Sequence, residues 1–226
     1  YEIWIASQNT NKSIANNMVA AFHVNGTLDT NKIDETINQL LSEHEILRTN
    51  FVEIEGSVYQ KINKKETIDF NISIAQVKEQ EVLESIKDFI NQTFNLEKDL
   101  LLKIQVLQID TSTAILVFCA HHIILDGWSL ERFTHDFSQY YRNDNENRGF
   151  NKNTIQFKDY AEWIVSSTET QKENTFWGTY LKGYKVKKSF TPDIFTNEGN
   201  NNGNHLDFQL SLKETKVLNY FLKKKK

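Results

Sequence analysis

The chain has 226 residues, with 26 Lys and Arg against 30 Asp and Glu for a formal net charge of −4, and it is 39% hydrophobic and 12% aromatic. This is enough to bury the core of one large domain without a disulfide or a metal, and it excludes intrinsic disorder. The faint acidity argues against a nucleic-acid footprint, no apolar run reaches the roughly 18 residues of a membrane span, and the lone Cys119 fits a reducing cytoplasm.

The opening Tyr1-Glu2-Ile3-Trp4 lacks the charged and apolar regions of a secretory signal, so the expectation is a soluble cytoplasmic chain. From Thr30 to His44 the spacing of Ile33, Ile37, Leu40 and Leu41 predicts a helix with Thr30 as its N-cap. Arg48 to Glu55 and Ser57 to Ile62 flank Gly56 and read as a hairpin. Lys78 to Phe94 carries one apolar stripe, from Val82 and Leu83 to Phe94, and reads as an amphipathic helix. Leu101 to Ile109 and Thr113 to Ala120 read as strands, the second apolar on both faces like the middle strand of a covered sheet. Helix patterns follow at Leu130 to Arg142, Thr154 to Ser166 and Gln171 to Leu181. Then come a short strand at Leu206 to Leu210 and a final helix from about Lys213. The stretches Asn143 to Asn153 and Asn197 to Asn204 read as exposed loops. The fold class is α+β, a mixed layered sheet with helices, and its eight glycines form no phosphate-cradling loop.

The stretch that invites chemistry is His121-His122-Ile123-Ile124-Leu125-Asp126-Gly127-Trp128-Ser129, where a buried strand ends and a helix begins. Successive strand side chains point to opposite faces, so His121 and His122 cannot both aim at one site, and no third ligand sits at metal spacing. The bland alternative is two buried histidines satisfied by hydrogen bonds. Against it stand Asp126, which a tight turn at Gly127 can bring back onto local geometry or a cation, and Ser129, a candidate helix cap. An imidazole at a strand end can accept a proton near neutral pH.

This stretch resembles the HHxxxDG motif of the chloramphenicol-acetyltransferase-like acyltransferases, and among them the condensation domains of nonribosomal peptide synthetases. Other segments agree in order. His44-Glu45-Ile46-Leu47-Arg48-Thr49-Asn50-Phe51 resembles the family's RHExLRTxF, departing from it at Glu43. Phe157 to Trp163 resembles YxDYAxW, Phe176-Trp177 with Leu181 and Gly183 resembles the aromatic-Trp helix, and Tyr1 to Gln8 resembles the opening segment. The match covers nearly the whole chain but only the first half of the family's pattern. The resemblance therefore implies an N-terminal lobe at 1–204, half of a V-shaped pseudo-dimer, with 205–226 beginning a second lobe and the terminal lysine run a cut.

It further implies amide-bond formation between two thioester substrates on donor and acceptor carrier domains, delivered on phosphopantetheine arms, with an adenylation domain in the same synthetase. No cofactor or metal held by the chain itself is implied, and no nucleic-acid or membrane partner. His122 maps to the histidine facing the tunnel, as general base or as an orienting group. His121, Asp126, Gly127 and Arg48 are support, with Asp126 and Arg48 expected to form a buried ion pair, while Trp128 and Ser129 neighbour the substrate arm. Tyr160, Trp163 and Trp177 are expected to be core or helix-packing aromatics, and His23, His135 and His205 match no family position. The fragment alone is expected to be inactive without the second lobe. The alternatives are an epimerisation domain with the same motif, a free-standing acyltransferase, or a non-catalytic carrier-docking lobe.

Overall fold

The apolar run after Thr113 becomes the middle of a four-stranded sheet. In the computed structural model, which describes residues 2–9, 14–142, 155–185 and 208–224, strand β6 (Thr113–His121) lies between β1 (Asn17–Asn25) and β5 (Leu102–Asp110). Both neighbours run antiparallel to it, and β5 pairs in parallel with β4 (Ser73–Gln76), giving the order β1-β6-β5-β4. Side-chain alternation then sorts the two faces. Leu102, Ile104, Leu116 and Phe118 pack in one cluster with α2 (Thr30–Glu43) and α4 (Gly127–Arg142). Leu107, Val117 and Cys119 pack in another with Phe89 of α3 (Val82–Ile90). A strand covered on both faces has no polar side, which is why its sequence does not alternate.

Helix α2 buries Ile33, Ile37, Leu40 and Leu41 completely. Its N-cap is Asp29 rather than Thr30, because Oδ1 of Asp29 accepts the Lys32 amide at 3.1 Å. The hairpin β2 (Thr49–Ile54) and β3 (Ser57–Ile62) turns through Glu55 and Gly56, both at positive φ, the twist that two-residue hairpin loops favour.

Three elements carry no clear pattern in the sequence: α1 (Glu2–Asn9), β1 and β4. Strand β1 is an edge strand with interrupted burial, so its residues show neither strict alternation nor a continuous apolar run. The amphipathic stretch after Lys78 is helical only over α3, preceded by a 3₁₀ turn at Glu79–Glu81. Helix α4 starts at Gly127, three residues before the expected Leu130.

Helices α5 (Phe157–Ser166) and α6 (Thr168–Tyr180) correct the expectation for the aromatics. Tyr160, Trp163 and Trp177 are not core residues; each is at least half exposed. They meet rings of their own helices: Tyr160 meets Phe157 and Trp163, and Trp177 meets Phe176 and Tyr180. The core instead gathers on Phe118, whose ring meets Phe133 and Phe137 edge-on at 5.4 and 5.1 Å.

Residues 1–185 form one compact unit and 186–226 a second. In the second, α7 (Leu212–Lys224) begins with reciprocal bonds. The Ser211 amide donates to Glu214 Oε2 at 2.8 Å, and the Glu214 amide donates to Ser211 Oγ at 3.3 Å. The expected loops at 143–153 and 197–204, His205, and the 204/205 boundary lie outside the described residues. Of the expected strand at 206–210, the described residues 208–210 are in no strand.

Phe118 is 1% exposed. Phe118→Ala is therefore expected to cost about 3–5 kcal/mol in urea unfolding followed by fluorescence. A loss below about 1 kcal/mol would show that the core does not depend on this ring.

Candidate active site at the end of strand β6

The ladder of β6 runs on past its last residue. The His121 amide donates to the Leu101 carbonyl at 3.0 Å, and the His122 amide donates to the Asn16 carbonyl at 2.7 Å. His121 is the last residue of the strand and His122 the first of a turn that the Ile124 amide closes on the His121 carbonyl at 3.1 Å, and the two rings part. His121 is 3% exposed and His122 is exposed. Nδ1 of His121 accepts the Ile123 amide at 3.1 Å, so its proton sits on Nε2, which faces Ser7 Oγ at 3.5 Å. Ser7 Oγ in turn donates to the Ile3 carbonyl at 2.8 Å and accepts from Asn16 Nδ2 at 3.1 Å. A ring nitrogen that already carries a proton cannot take one from Ser7, so this pair is no nucleophile–base dyad. Burial pushes His121 down to a pKa of about 4, and the neighbouring His122 pushes the same way. His121 is a neutral scaffold.

Asp126 and Arg48 do not pair. Asp126 is exposed and caps α4: its Oδ1 accepts the Ser129 amide at 2.8 Å and the Ser129 hydroxyl at 2.6 Å. These bonds hold its carboxyl below the usual range. The cap is thus Asp126, with Ser129 supplying the donors, rather than Ser129 itself. Arg48 closes the 3₁₀ turn Glu45–Arg48, and its fork is used there. Nε donates to the Leu41 carbonyl at 3.0 Å, Nη1 to the Asn63 carbonyl at 2.6 Å, and Nη2 lies 3.7 Å from Glu45. Arg48 supports the hairpin and the end of α2, not the motif loop. Gly127 opens α4, and a Cβ added there would meet nothing within 4 Å. Trp128 is 82% exposed.

His122, Asp126, Trp128 and Ser129 line a groove of about 750 Å³ that Ile46 and Phe157 also line, a size and apolar character suited to a ligand. The same groove holds two polar residues that sequence reasoning did not join, His44 and Asp136. Asp136 is 4% exposed. It lies 2.8 Å from Arg132 Nε, 3.2 Å from His135 Nδ1 and 3.8 Å from His44 Nε2. Burial lowers the pKa of His44, while the Asp136 and Glu43 carboxylates pull it up and Arg132 pushes it down. The signal was there: Asp136 sits between Phe133 and Phe137 on the apolar face of α4, where a carboxylate needs partners. Among the described residues no three His, Cys, Asp or Glu side chains are grouped to hold a metal, and no helix is long and apolar enough to cross a membrane.

The family model for the condensation domain matches residues 2–226. The chain belongs to the condensation-domain family. It is 36% identical over 186 residues to bacitracin synthase 1 of Bacillus licheniformis, covering 81% of this chain and 3% of that protein. Its fold is similar to that of the X-domain in the complex of the X-domain and OxyB from teicoplanin biosynthesis, at a TM-score of 0.75 and 20% identity, covering 86% of this chain and 44% of that one. The starter condensation domain of the rhizomide synthetase RzmA is similar at a TM-score of 0.69 and 16% identity, over 81% of this chain and 46% of that one. The chain thus spans under half of these solved structures and a few per cent of the synthetase.

As a helix cap rather than a buried ion pair, Asp126 is expected to contribute about 1 kcal/mol. In urea unfolding Asp126→Ala should lose that amount and Asp126→Asn much less, whereas an ion pair would cost both variants about 3–5 kcal/mol. His121 gives a pH signature. Its folded pKa of about 4 lies below the ordinary 6.5, so the unfolded chain takes the proton first. Its contribution to stability is full above pH 6.5 and falls toward pH 4, by up to about 1.4 kcal/mol per unit. Urea midpoints at pH 7 and pH 5 should separate more for wild type than for His121→Gln.

Proposed function

We propose that residues 1–204 are the N-terminal lobe of a nonribosomal peptide synthetase condensation domain, that 205–226 open its second lobe, and that the whole domain joins a carrier-bound acyl or peptidyl thioester to a carrier-bound aminoacyl acceptor. The observation that carries this reading is the parting of the paired histidines: His121 is neutral and buried, and His122 is turned out into a groove. In that role the acceptor amine attacks the thioester carbonyl, a C–N bond forms and the C–S bond breaks. His122 takes the proton from the attacking nitrogen and returns it to the departing sulfur, or holds the amine in line. Orientation of two tethered reactants alone supplies roughly 7–11 kcal/mol in good intramolecular cases.

The other motif residues support the geometry. Asp126 fixes the first turn of α4, so the loop after His122 has one shape. The open space at Gly127, beside Trp128 and Ser129, suits passage of a phosphopantetheine arm. The partners are donor and acceptor carrier domains and an adenylation domain of the same synthetase, and the chain itself holds no cofactor. The fragment without the second lobe is inactive on this reading.

The test uses the full synthetase with loaded carriers and follows the acceptor by intact mass. Wild type should add the donor acyl mass, and His122→Ala should slow this by roughly 10²–10⁴-fold. An acceptor of unchanged mass with an inverted α-carbon would make the domain an epimerase, and no change at all would leave a docking lobe. Gly127→Ala should keep wild-type stability, since its Cβ meets nothing, yet raise KM for the carrier. An unchanged KM would move the arm elsewhere.

A further inference from the structure

The four-stranded sheet ends on one side in β4, which has four residues, and on the other in β1, which has nine. A free edge is a template for another strand, and sheets blunt it with short strands, charges, proline or bulges. Strand β1 carries none of these. Its run Asn17-Met18-Val19-Ala20-Ala21-Phe22-His23-Val24-Asn25 contains no Lys, Arg, Asp, Glu or Pro, and it pairs with β6 without a register shift. We propose that β1 is completed by an extended segment of the second lobe, which adds a fifth strand to this sheet. The inference rests on the two-lobe part of the reading above, and not on which reaction the domain catalyses.

The ladder fixes which groups are on offer. The Asn16 carbonyl accepts the His122 amide and the Gly26 amide donates to the Ser112 carbonyl, both at 2.7 Å. In an antiparallel pair this turns the backbone of the even-numbered residues between them toward β6. Val19, Ala21 and His23 turn their amides and carbonyls the other way, and among the described residues nothing pairs with them.

The side chains along this edge are equally short of cover. On one face the cluster around α3 takes in Val117 and Cys119 of β6 but neither of their neighbours across the ladder, Ala21 and Val19. Val19 is 37% exposed, and Ala21 and His23 are exposed. On the other face Ala20 and Val24 pack against the core, yet Phe22 between them is 42% exposed although its ring meets Phe118. An added strand with apolar residues at alternate positions would cover Phe22 on one face and Val19 on the other.

Length and position point to the second lobe as the source. The chain spans 44% of the X-domain chain and 46% of the rhizomide starter domain, so more than half of such a domain lies outside it. On the two-lobe reading the second lobe closes over the groove that His122 lines, and the His122 amide is bonded to Asn16, one residue before β1 begins. The lobe that closes the groove is thereby brought to the start of the open edge.

Hydrogen exchange in the full synthetase tests this, read residue by residue by mass spectrometry. The Val19, Ala21 and His23 amides should exchange about as slowly as those of Ala20 and Phe22, at least roughly a hundredfold behind an unpaired amide. Ala21→Pro removes one outward donor and leaves the β6 ladder whole, because an edge strand tolerates proline where the amide faces out. It should release exchange at Val19 and His23, which a cover without hydrogen bonds would not do. A photo-crosslinker in place of Val19 then names the occupant. A peptide from beyond residue 226 of the same molecule is expected. Fast exchange in the wild type, protection that Ala21→Pro leaves unchanged, or a cross-link to β1 of a second copy or to another domain overturns the inference. A protected edge cross-linked to the later chain upholds it even where no amide forms, and that lack of amide sinks only the condensation reading.

Discussion

The alternation of side chains along β6 is the constraint on which the site depends. Because the strand is paired on both edges, its backbone stays extended to His121, whose amide donates to Leu101, and the turn into α4 begins at His122, whose amide donates to Asn16. Extended backbone fixes the face of His121, and the turn that starts at the next residue carries the second ring away from it. His121 shares its parity with Val117 and Cys119 and ends beside Phe94, against the layer of α3. His122, at the start of the turn, lines the groove that Asp126, Trp128 and Phe133 of the loop and α4 also line. A one-residue slip in the pairing of β6 would exchange the two rings and put the neutral, amide-bonded imidazole into the groove.

The second element of order is the turn from β6 into α4. Helix starts leave amide groups without partners, and Asp126 meets this need locally with Ser129. A cap of this kind needs only residues three apart in sequence, so the loop between His122 and α4 does not rely on a distant partner to hold its shape. The fixed start then places Phe133, Asp136 and Phe137 on the inner face of the helix, and through Asp136 the same helix reaches His44 at the end of α2.

Most of the layered core was legible in the sequence because apolar periodicity reports burial directly. Ile33, Ile37, Leu40 and Leu41 announced α2, and the unbroken apolar run announced β6. What failed was partner assignment. Arg48 and Asp126 are both motif residues, but shared membership in motifs says nothing of distance, and carbonyls nearer to Arg48 take its guanidinium. Edge elements such as β1 were hidden because half-exposed strands lose the apolar contrast that pattern reading uses. The aromatic residues of α5 and α6 misled in the opposite way. Large rings usually mark a core, yet Trp163 and Trp177 lie largely at the surface of this unit, since periodicity reports an apolar face and not what covers it.

His44 and Asp136 were missed for a related reason: a histidine at the end of a helix and an aspartate two turns into another are 92 residues apart, and only the packing of α2 against α4 brings them to 3.8 Å. Their position follows from packing and not from the motif. A buried carboxylate is costly unless paired, so Asp136 needs Arg132 and His135 whatever the function. Those two neighbours are on its own helix, whereas His44, at 3.8 Å, comes from the end of α2, so the one carboxylate also links the two helices that cover this face of the sheet.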